Sequence, residues 1–136
     1  MLANKRILLL EDDVVDVMTI KRAISQLHIP NELIVKENGE EGLEYLKQCK
    51  NLPGLIFLDI NMPKMNGIEF LQNIKLNSQW AKIPVIILTT SKDQQDKLAT
   101  FNQGISGYMV KPVDYSQFKD MIGTIKEYWN LSEHPY

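Results

Sequence analysis

Five short apolar runs, each followed by an amphipathic stretch, constrain the fold of this chain more than any other feature. Such alternation is typical of strand and helix units arranged around a mostly parallel sheet. At least three of the runs are apolar throughout, as expected of strands that are covered on both faces. The predicted strands are residues 6–10, 33–36, 55–59, 85–89 and 107–110.

The stretches between the strands carry apolar residues three and four positions apart, which is the spacing of one face of an α-helix. The last helix is predicted from about residue 115 to 129. Asp13 is interpreted as the N-cap of the first helix, and Ser91 and Asp114 begin capping-box patterns that predict the starts of the fourth and fifth helices. Gly104 is typical of a helix stop. The apolar stripes are Val17, Ile20, Ile24 and Leu27; Leu43 and Leu46; Leu71 and Ile74; and Phe118, Met121, Ile122 and Ile125.

Length and composition indicate one globular domain. The 136 residues, 44% of them hydrophobic, suffice for one core and are too few for two ordinary domains. We predict a core over about residues 5–129 and a short C-terminal tail. The formal charge of −2 lacks the positive excess of a nucleic-acid-binding protein.

Membrane insertion and secretion are also disfavoured. The longest apolar runs have the length of strands and fall far below the ~20 residues that a membrane span needs. The N-terminus does not lead into the apolar region and cleavage site of a signal peptide. We therefore predict a cytoplasmic protein. The lone Cys49 cannot form an intrachain disulfide.

Polar residues follow four of the predicted strands. Ligands of an open parallel sheet bind beyond the carboxyl ends of its strands, so these residues are expected to converge. Clustered carboxylates raise one another's pKa unless a cation neutralises them, and oxygen-only ligands suit Mg²⁺, with Mn²⁺ as a substitute. We expect Asp12 and Asp59 as direct ligands, Glu11 as a ligand through water, and the backbone carbonyl of Asn61 as a further donor.

The same strand ends suit phosphoryl transfer. A carboxylate is a recognised nucleophile that forms an acyl phosphate, and the transfer depends on positioning and on neutralising the phosphoryl oxygens. With Asp59 as the acceptor, a metal ion can hold one oxygen. Lys111 can place a positive charge on a second oxygen, and the Thr89 hydroxyl can donate a hydrogen bond to the third.

Four segments, residues 8–13, 58–67, 88–91 and 107–112, closely resemble bacterial two-component response-regulator receiver domains, such as chemotaxis regulators. The resemblance extends from about residue 5 to residue 129. It implies a flavodoxin-like, doubly wound fold of five strand–helix units, a three-layer sandwich with the strand order 2-1-3-4-5. Within the family, the chain is most similar to the small stand-alone regulators paired with phytochrome-type histidine kinases, so no output domain is expected.

The resemblance also assigns roles to individual residues. It implies that phosphorylation draws the Thr89 hydroxyl inward and that Tyr108 follows into the vacated space. A cis peptide bond is expected before Pro112. The implied roles are phosphoacceptor for Asp59, acidic pocket for Glu11 and Asp12, phosphate contact for Lys111, switch for Thr89 and Tyr108, and control of hydrolysis for Asn61 and Ser91.

The implied function is a signalling switch. A sensor histidine kinase or a histidine phosphotransfer protein would donate a phosphoryl group to Asp59. The new charge would bias the surface made by the fourth helix, fifth strand and fifth helix toward binding a protein target, with homodimerisation through the same face as a further outcome. The only chemistry expected is self-phosphorylation and slow autodephosphorylation.

Three other functions are compatible with parts of this pattern. A phosphatase of the haloacid dehalogenase type needs an acid two residues after its nucleophile, where this chain has Asn61. A flavin binder needs a phosphate loop after the first strand, where Glu11, Asp12 and Asp13 would repel a phosphate. A receiver-like protein that binds its partner constitutively is disfavoured, but not excluded, by the full set of acids, threonine and lysine.

Overall fold

The computed structural model describes residues 5–132 and consists of alternating strands and helices. A 3₁₀ helix, Trp80–Lys82, precedes the fourth strand. The strands are β1 (Ile7–Leu10), β2 (Leu33–Lys36), β3 (Leu55–Leu58), β4 (Val85–Thr89) and β5 (Gly107–Val110). The helices are α1 (Val14–Gln26), α2 (Gly39–Gln48), α3 (Gly67–Lys75), α4 (Gln94–Phe101) and α5 (Tyr115–Leu131).

The five strands form one parallel sheet in the order β2-β1-β3-β4-β5. The predicted order and flavodoxin-like fold are therefore confirmed. Every residue of β1, β3 and β4 is buried, as predicted for strands covered on both faces, whereas β2 and β5 at the edges are half-buried. Because the chain winds in opposite directions from β1, the carboxyl ends of β1 and β3 flank the crevice where ligands of this fold bind.

Two apolar cores lie on the two faces of the sheet. On one face, Ile20 of α1 and Ile122 of α5 belong to the same buried cluster as Leu9 of β1. On the other, Phe70 and Leu71 of α3 join a cluster with strand side chains. Each fully buried side chain of this size stabilises the fold by about 1.5–3 kcal/mol relative to exposure. The predicted helical stripes thus become the contacts that fix both helix layers.

Side-chain caps fix the helix starts. The caps of α1 and α5 are those predicted, whereas the cap of α4 is a different residue. Asp13 accepts hydrogen bonds from the backbone N–H of Val15 at 2.8 Å and caps α1, and Asp114 caps α5. The prediction for α4 is wrong, because Asp93 is its N-cap. The Ser91 hydroxyl instead donates to the Asp96 carboxylate at 2.7 Å.

The remaining predictions about chain ends and stops are partly confirmed. Gly104 has a φ of +77° just after α4, a backbone conformation that favours glycine and ends a helix. The last helix continues to Leu131, two residues beyond its predicted end. The tail residues 133–136 lie outside the described part of the chain. Within residues 5–132, no helix has the length and apolar character to cross a bilayer.

Candidate functional site

Sheet hydrogen bonds place the candidate residues one position beyond the strand ends. The backbone N–H of Asp59 donates to the carbonyl of Leu10 at 3.0 Å, and that of Lys111 donates to the carbonyl of Thr89 at 2.8 Å. The backbone N–H of Glu11 likewise donates to the carbonyl of Lys36, the last residue of β2, at 3.0 Å. Since each bond extends a strand pairing, the sheet register itself brings these side chains to one edge.

The carboxylates of Glu11, Asp12 and Asp59 form a compact group, which we call the acidic cluster. One oxygen from each lies within 4.8 Å of the others. Glu11 and Asp59 are buried, with 2% and 8% of their surface exposed, whereas Asp12 is open to solvent. An all-oxygen, half-open donor set that brings three negative charges together fits a hard, partly hydrated ion such as Mg²⁺.

Burial perturbs the acids of this cluster. Loss of solvation, together with the nearby charge of Asp59, raises the pKa of Glu11 to about 7, although Lys111 and the Asp13 backbone N–H act against the rise. Burial also raises the pKa of Asp59 above its usual value, and the Lys111 charge and the Thr89 hydroxyl oppose it. Both acids therefore hold protons more readily than free carboxyl groups until a cation joins them.

Lys111 lies in the same crevice, with only 8% of its side chain exposed. Its Nζ donates to the Glu11 carboxylate and, at 3.0 Å, to Oδ2 of Asp16. Burial alone would lower the pKa of this ammonium group, but the surrounding carboxylates outweigh it and the pKa is raised. The ammonium group therefore remains charged near neutral pH.

The predicted cis bond before Pro112 is wrong. No cis peptide bond occurs among residues 5–132, so Lys111 and Pro112 are joined in the trans form. The trans form is the more stable one even before proline. Lys111 reaches Glu11 from this backbone, so its placement in the crevice does not require the cis form.

Thr89 and Tyr108, the predicted switch residues, are both bonded to Ser91. The fully buried Thr89 accepts the backbone N–H of Ser91 through its Oγ1 at 3.2 Å, and the Tyr108 hydroxyl donates to the carbonyl of Ser91 at 3.0 Å. The Tyr108 ring stacks on Phe101 of α4, with centroids 6.4 Å apart. One loop residue thus connects the two switch side chains.

A comparison with known families identifies the chain. The model of the response regulator receiver domain matches residues 7–123, which span the whole sheet and the first half of α5. This chain belongs to the response regulator receiver family. Receiver domains bind Mg²⁺ and are phosphorylated by histidine kinases.

Sequence and structural relatives agree with this assignment. Response regulator Rcp1 of Synechocystis sp. is 32% identical over 130 residues, which cover 92% of this chain and 88% of Rcp1. The phosphorylated cyanobacterial phytochrome response regulator RcpA superimposes with a TM-score of 0.91 at 31% identity, covering 98% of this chain and all of the other. The Mn²⁺-bound form of Rcp1 gives 0.87 at 31% identity, covering 97% and 99%. The predicted resemblance to phytochrome-associated regulators is confirmed.

Two residues of this receiver site were not anticipated from the sequence. Asp16, in the first turn of α1, is typical of acids that favour a helix N-terminus, so nothing in the sequence connects it to Lys111. Gly67 begins α3, and a Cβ there would lie 2.2 Å from the carbonyl oxygen of Asp59. The sequence signal for Gly67 was its position in the segment 58–67, without an indication of this close approach.

The other predicted residues lie around the crevice. Asn61 is exposed in the loop after Asp59, and Ser91 is half-buried and bonded to the first turn of α4. Their control of hydrolysis stays a prediction.

Proposed function

We propose that this receiver is a phosphorylation-dependent switch in which Asp59 accepts a phosphoryl group from a sensor histidine kinase or a histidine phosphotransfer protein. The observation that supports this most is the convergence of the acidic cluster with the buried ammonium of Lys111. The parts come from β1, β3 and β5, and they supply a nucleophile, a cation site and a fixed positive charge.

Asp59 is prepared for attack by its own backbone. Its Oδ1 accepts the N–H of Ile60 at 2.9 Å, which orients the carboxylate and leaves the other oxygen as the nucleophile. As a bond forms between that oxygen and phosphorus, the bond from phosphorus to the donor imidazole nitrogen breaks, and the imidazole keeps the electron pair. The product is an acyl phosphate on Asp59.

Charge neutralisation is divided among fixed groups. Glu11, Asp12 and Asp59, with the Asn61 backbone carbonyl, would hold Mg²⁺ or Mn²⁺. When bound, the ion neutralises the acids and one phosphoryl oxygen. Lys111 would pair with a second oxygen. Thr89 accepts a hydrogen bond from Ser91, and its own hydroxyl hydrogen, which already stabilises the charged Asp59 carboxylate, would donate to the third.

The conformational switch would follow from the contact between the Thr89 hydroxyl and the phosphoryl group. A Thr89 hydroxyl drawn to the phosphoryl group would weaken its bond to Ser91, and Ser91 is also the partner of the Tyr108 hydroxyl. The change would therefore reach Phe101 on α4 through the stacked ring. The surface of α4, β5 and α5 is the proposed output, which would bind a protein target or a second copy of the chain.

Apolar side chains near the crevice suit a docking partner. Val14 and Val15 at the start of α1 are each 70% exposed, and Val113 just after Lys111 and Pro112 is fully exposed. A partner that presents a phosphohistidine to Asp59 would cover these side chains. We propose that the chain signals in the cytoplasm through such contacts and does not turn over phosphate esters as an enzyme.

Acetyl phosphate tests the acceptor assignment directly. With Mg²⁺, the wild-type chain should gain one acid-stable, base-labile phosphoryl group, seen by intact mass. The variant Asp59→Asn should gain none, and Asp93→Asn, which keeps an N-cap residue on α4, should behave as wild type. Phosphorylation that persists in Asp59→Asn would refute the proposed site, and repeated turnover of phosphate esters would indicate an enzyme.

A further inference from the structure

Lys111 is held by two carboxylates with different surroundings. Glu11 belongs to the acidic cluster and is buried, whereas Asp16 lies on α1, outside that cluster, with 35% of its side chain exposed. The Asp16 oxygen accepts from Lys111 Nζ at 3.0 Å, across 95 positions of sequence. The contact therefore joins α1 to the end of β5 at the edge of the phosphoacceptor site.

The N-terminal cap of α1 fixes where Asp16 lies. The Asp13 carboxylate accepts the backbone N–H of Asp16 at 3.1 Å, so the residue that caps the helix also fixes the backbone position of Asp16. An acid in the first turn favours the helix dipole wherever its side chain points. The dipole alone does not account for a carboxylate directed at a buried lysine on another element.

Metal binding would weaken the pairing of Lys111 with Glu11 more than its pairing with Asp16. A cation held by the acidic cluster takes up the charge of Glu11 and repels the nearby ammonium group. Asp16 is not among the cluster carboxylates, so a metal ion held there would leave its pairing with Lys111 intact. The ammonium has three N–H donors, and with one of them on Asp16 the others can point toward Asp59.

We propose that Asp16 is a positioning residue that keeps the Lys111 ammonium directed at the phosphoryl group of Asp59 while a metal ion occupies the acidic cluster. This inference rests on the proposed function of Asp59. Without Asp16, the flexible four-carbon stem of Lys111 has no fixed partner beside the metal, and the ammonium turns toward solvent or competes for Glu11.

Nitrogen NMR of the lysine ammonium groups tests the contact without any phosphorylation. In the metal-free state, wild type and Asp16→Asn should both show a slowly exchanging Lys111 ammonium signal, because Glu11 still holds it. With saturating Mg²⁺, the signal should persist in wild type and vanish in Asp16→Asn. Asp13→Asn removes the same charge from the same helix end and keeps a capping residue, so it should retain the signal. A signal that survives Mg²⁺ in Asp16→Asn, or disappears in wild type, would overturn the proposal.

The rate of phosphorylation by acetyl phosphate tests the consequence. At saturating Mg²⁺, Asp16→Asn should slow phosphorylation about tenfold when Lys111 is present. In a chain that already carries Lys111→Met, the same substitution should slow phosphorylation less than about twofold, because the effects of contacting residues that act together are not additive. Asp16→Glu should recover part of the rate. If Lys111→Met does not fold, Lys111→Gln completes the same cycle.

The outcomes separate the two proposals. If Asp16→Asn slows phosphorylation equally with Lys111 present and with Lys111 replaced, or does not slow it when Lys111 is present, the positioning role is overturned and Asp59 remains the acceptor. A wild-type chain that takes up no phosphoryl group would refute the proposed function itself. The lysine signal would then still decide whether Asp16 holds Lys111.

Discussion

Glu11 shows how burial gives one residue a chemical property that its sequence position alone does not. It is enclosed at the end of β1 beside a second buried acid, and its pKa rises to about 7. A proton and a divalent cation therefore compete for this carboxylate near neutral pH. Competition of this kind links metal affinity to pH.

Mg²⁺ binding should tighten as the pH rises through 7. Protonation of a group with a pKa of about 7 reduces the apparent affinity about tenfold between pH 8 and pH 6. The raised pKa of Asp59 adds to this change in the same direction. Calorimetric titration of Mg²⁺ at several pH values measures it. Glu11→Gln should flatten the dependence, and an affinity that is constant from pH 6 to 8 would contradict the argument.

Gly67 is required by the close approach of α3 to the backbone of the acceptor. Its backbone N–H donates to the carbonyl of Ile60 at 2.9 Å, and an added Cβ would overlap the carbonyl oxygen of Asp59. Gly67→Ala should therefore destabilise the fold by about 1–3 kcal/mol or more and slow phosphorylation, since the acceptor backbone must shift.

Gly123 in α5 is a matched control for this substitution. A Cβ at that position meets only Leu27, at an ordinary distance of 3.5 Å, so Gly123→Ala should be neutral or stabilise the helix by up to about 1 kcal/mol. Urea unfolding compares the two variants. Similar free energies of unfolding would show that the contact at Gly67 relaxes without cost.

At this scale, the sequence predicted those site residues whose position follows from a strand end. Glu11 and Asp59 come directly after apolar runs, so the parallel sheet brings them together. Asp16 and Gly67 were missed because their roles depend on distances between elements. The resemblance implied a cis peptide bond before Pro112, whereas the bond is trans, the form that is intrinsically more stable even before proline.

The helices differ in how firmly they are anchored. Among the eight residues of α4 only Thr100 is buried, and its large apolar residues Leu98 and Phe101 are each 54% exposed. In contrast, α3 buries Gly67, Phe70, Leu71 and Ile74. Since the stability of a helix in a protein comes mainly from packing of its apolar face, α4 is the helix best suited to move.

Hydrogen exchange should show this difference directly. Backbone amides of α4 should exchange at least about tenfold faster than those of α3, because local opening exposes little apolar surface. Beryllofluoride with Mg²⁺, which mimics the phosphoryl group, should change protection in α4 and near Tyr108 more than in α3. Equal protection of the two helices, or a change confined to α3, would contradict the proposed output surface.

Element boundaries were predictable where only one signal was present. Each strand was predicted to within one residue, because its apolar run is bounded by polar or turn residues. The start of α4 was missed because Ser91, Asp93 and Asp96 lie close together and each can accept backbone N–H groups. Sequence spacing did not show which of them caps the helix and which bonds to its neighbour.

Across the whole molecule, charge is unevenly distributed at the carboxyl edge of the sheet. Glu11 and Asp16 both pair with the Lys111 ammonium group there, and Asp12 and Asp59 of the acidic cluster add two more carboxylates to the same edge. The raised pKa of Glu11 means that the folded, metal-free chain holds a proton that the unfolded chain releases above a pKa of about 4.5. The contribution of this proton to the free energy of unfolding is fully present below pH 4.5 and is lost as the pH rises through about 7.

Mg²⁺ should therefore stabilise the fold, and more so at pH 8 than at pH 6. A ligand that binds only the folded state at one hundred times its dissociation constant adds about 2.7 kcal/mol to the free energy of unfolding. Thermal melts at both pH values, with and without Mg²⁺, measure the gain. Asp12→Asn removes an exposed ligand and should abolish most of the gain, whereas Asp114→Asn, at the N-cap of α5, should keep it. The ion would join the ends of β1 and β3, so the melting temperature should rise when it binds. If Mg²⁺ does not change the melting temperature at pH 8, the chain lacks the metal site on which the proposed switch depends.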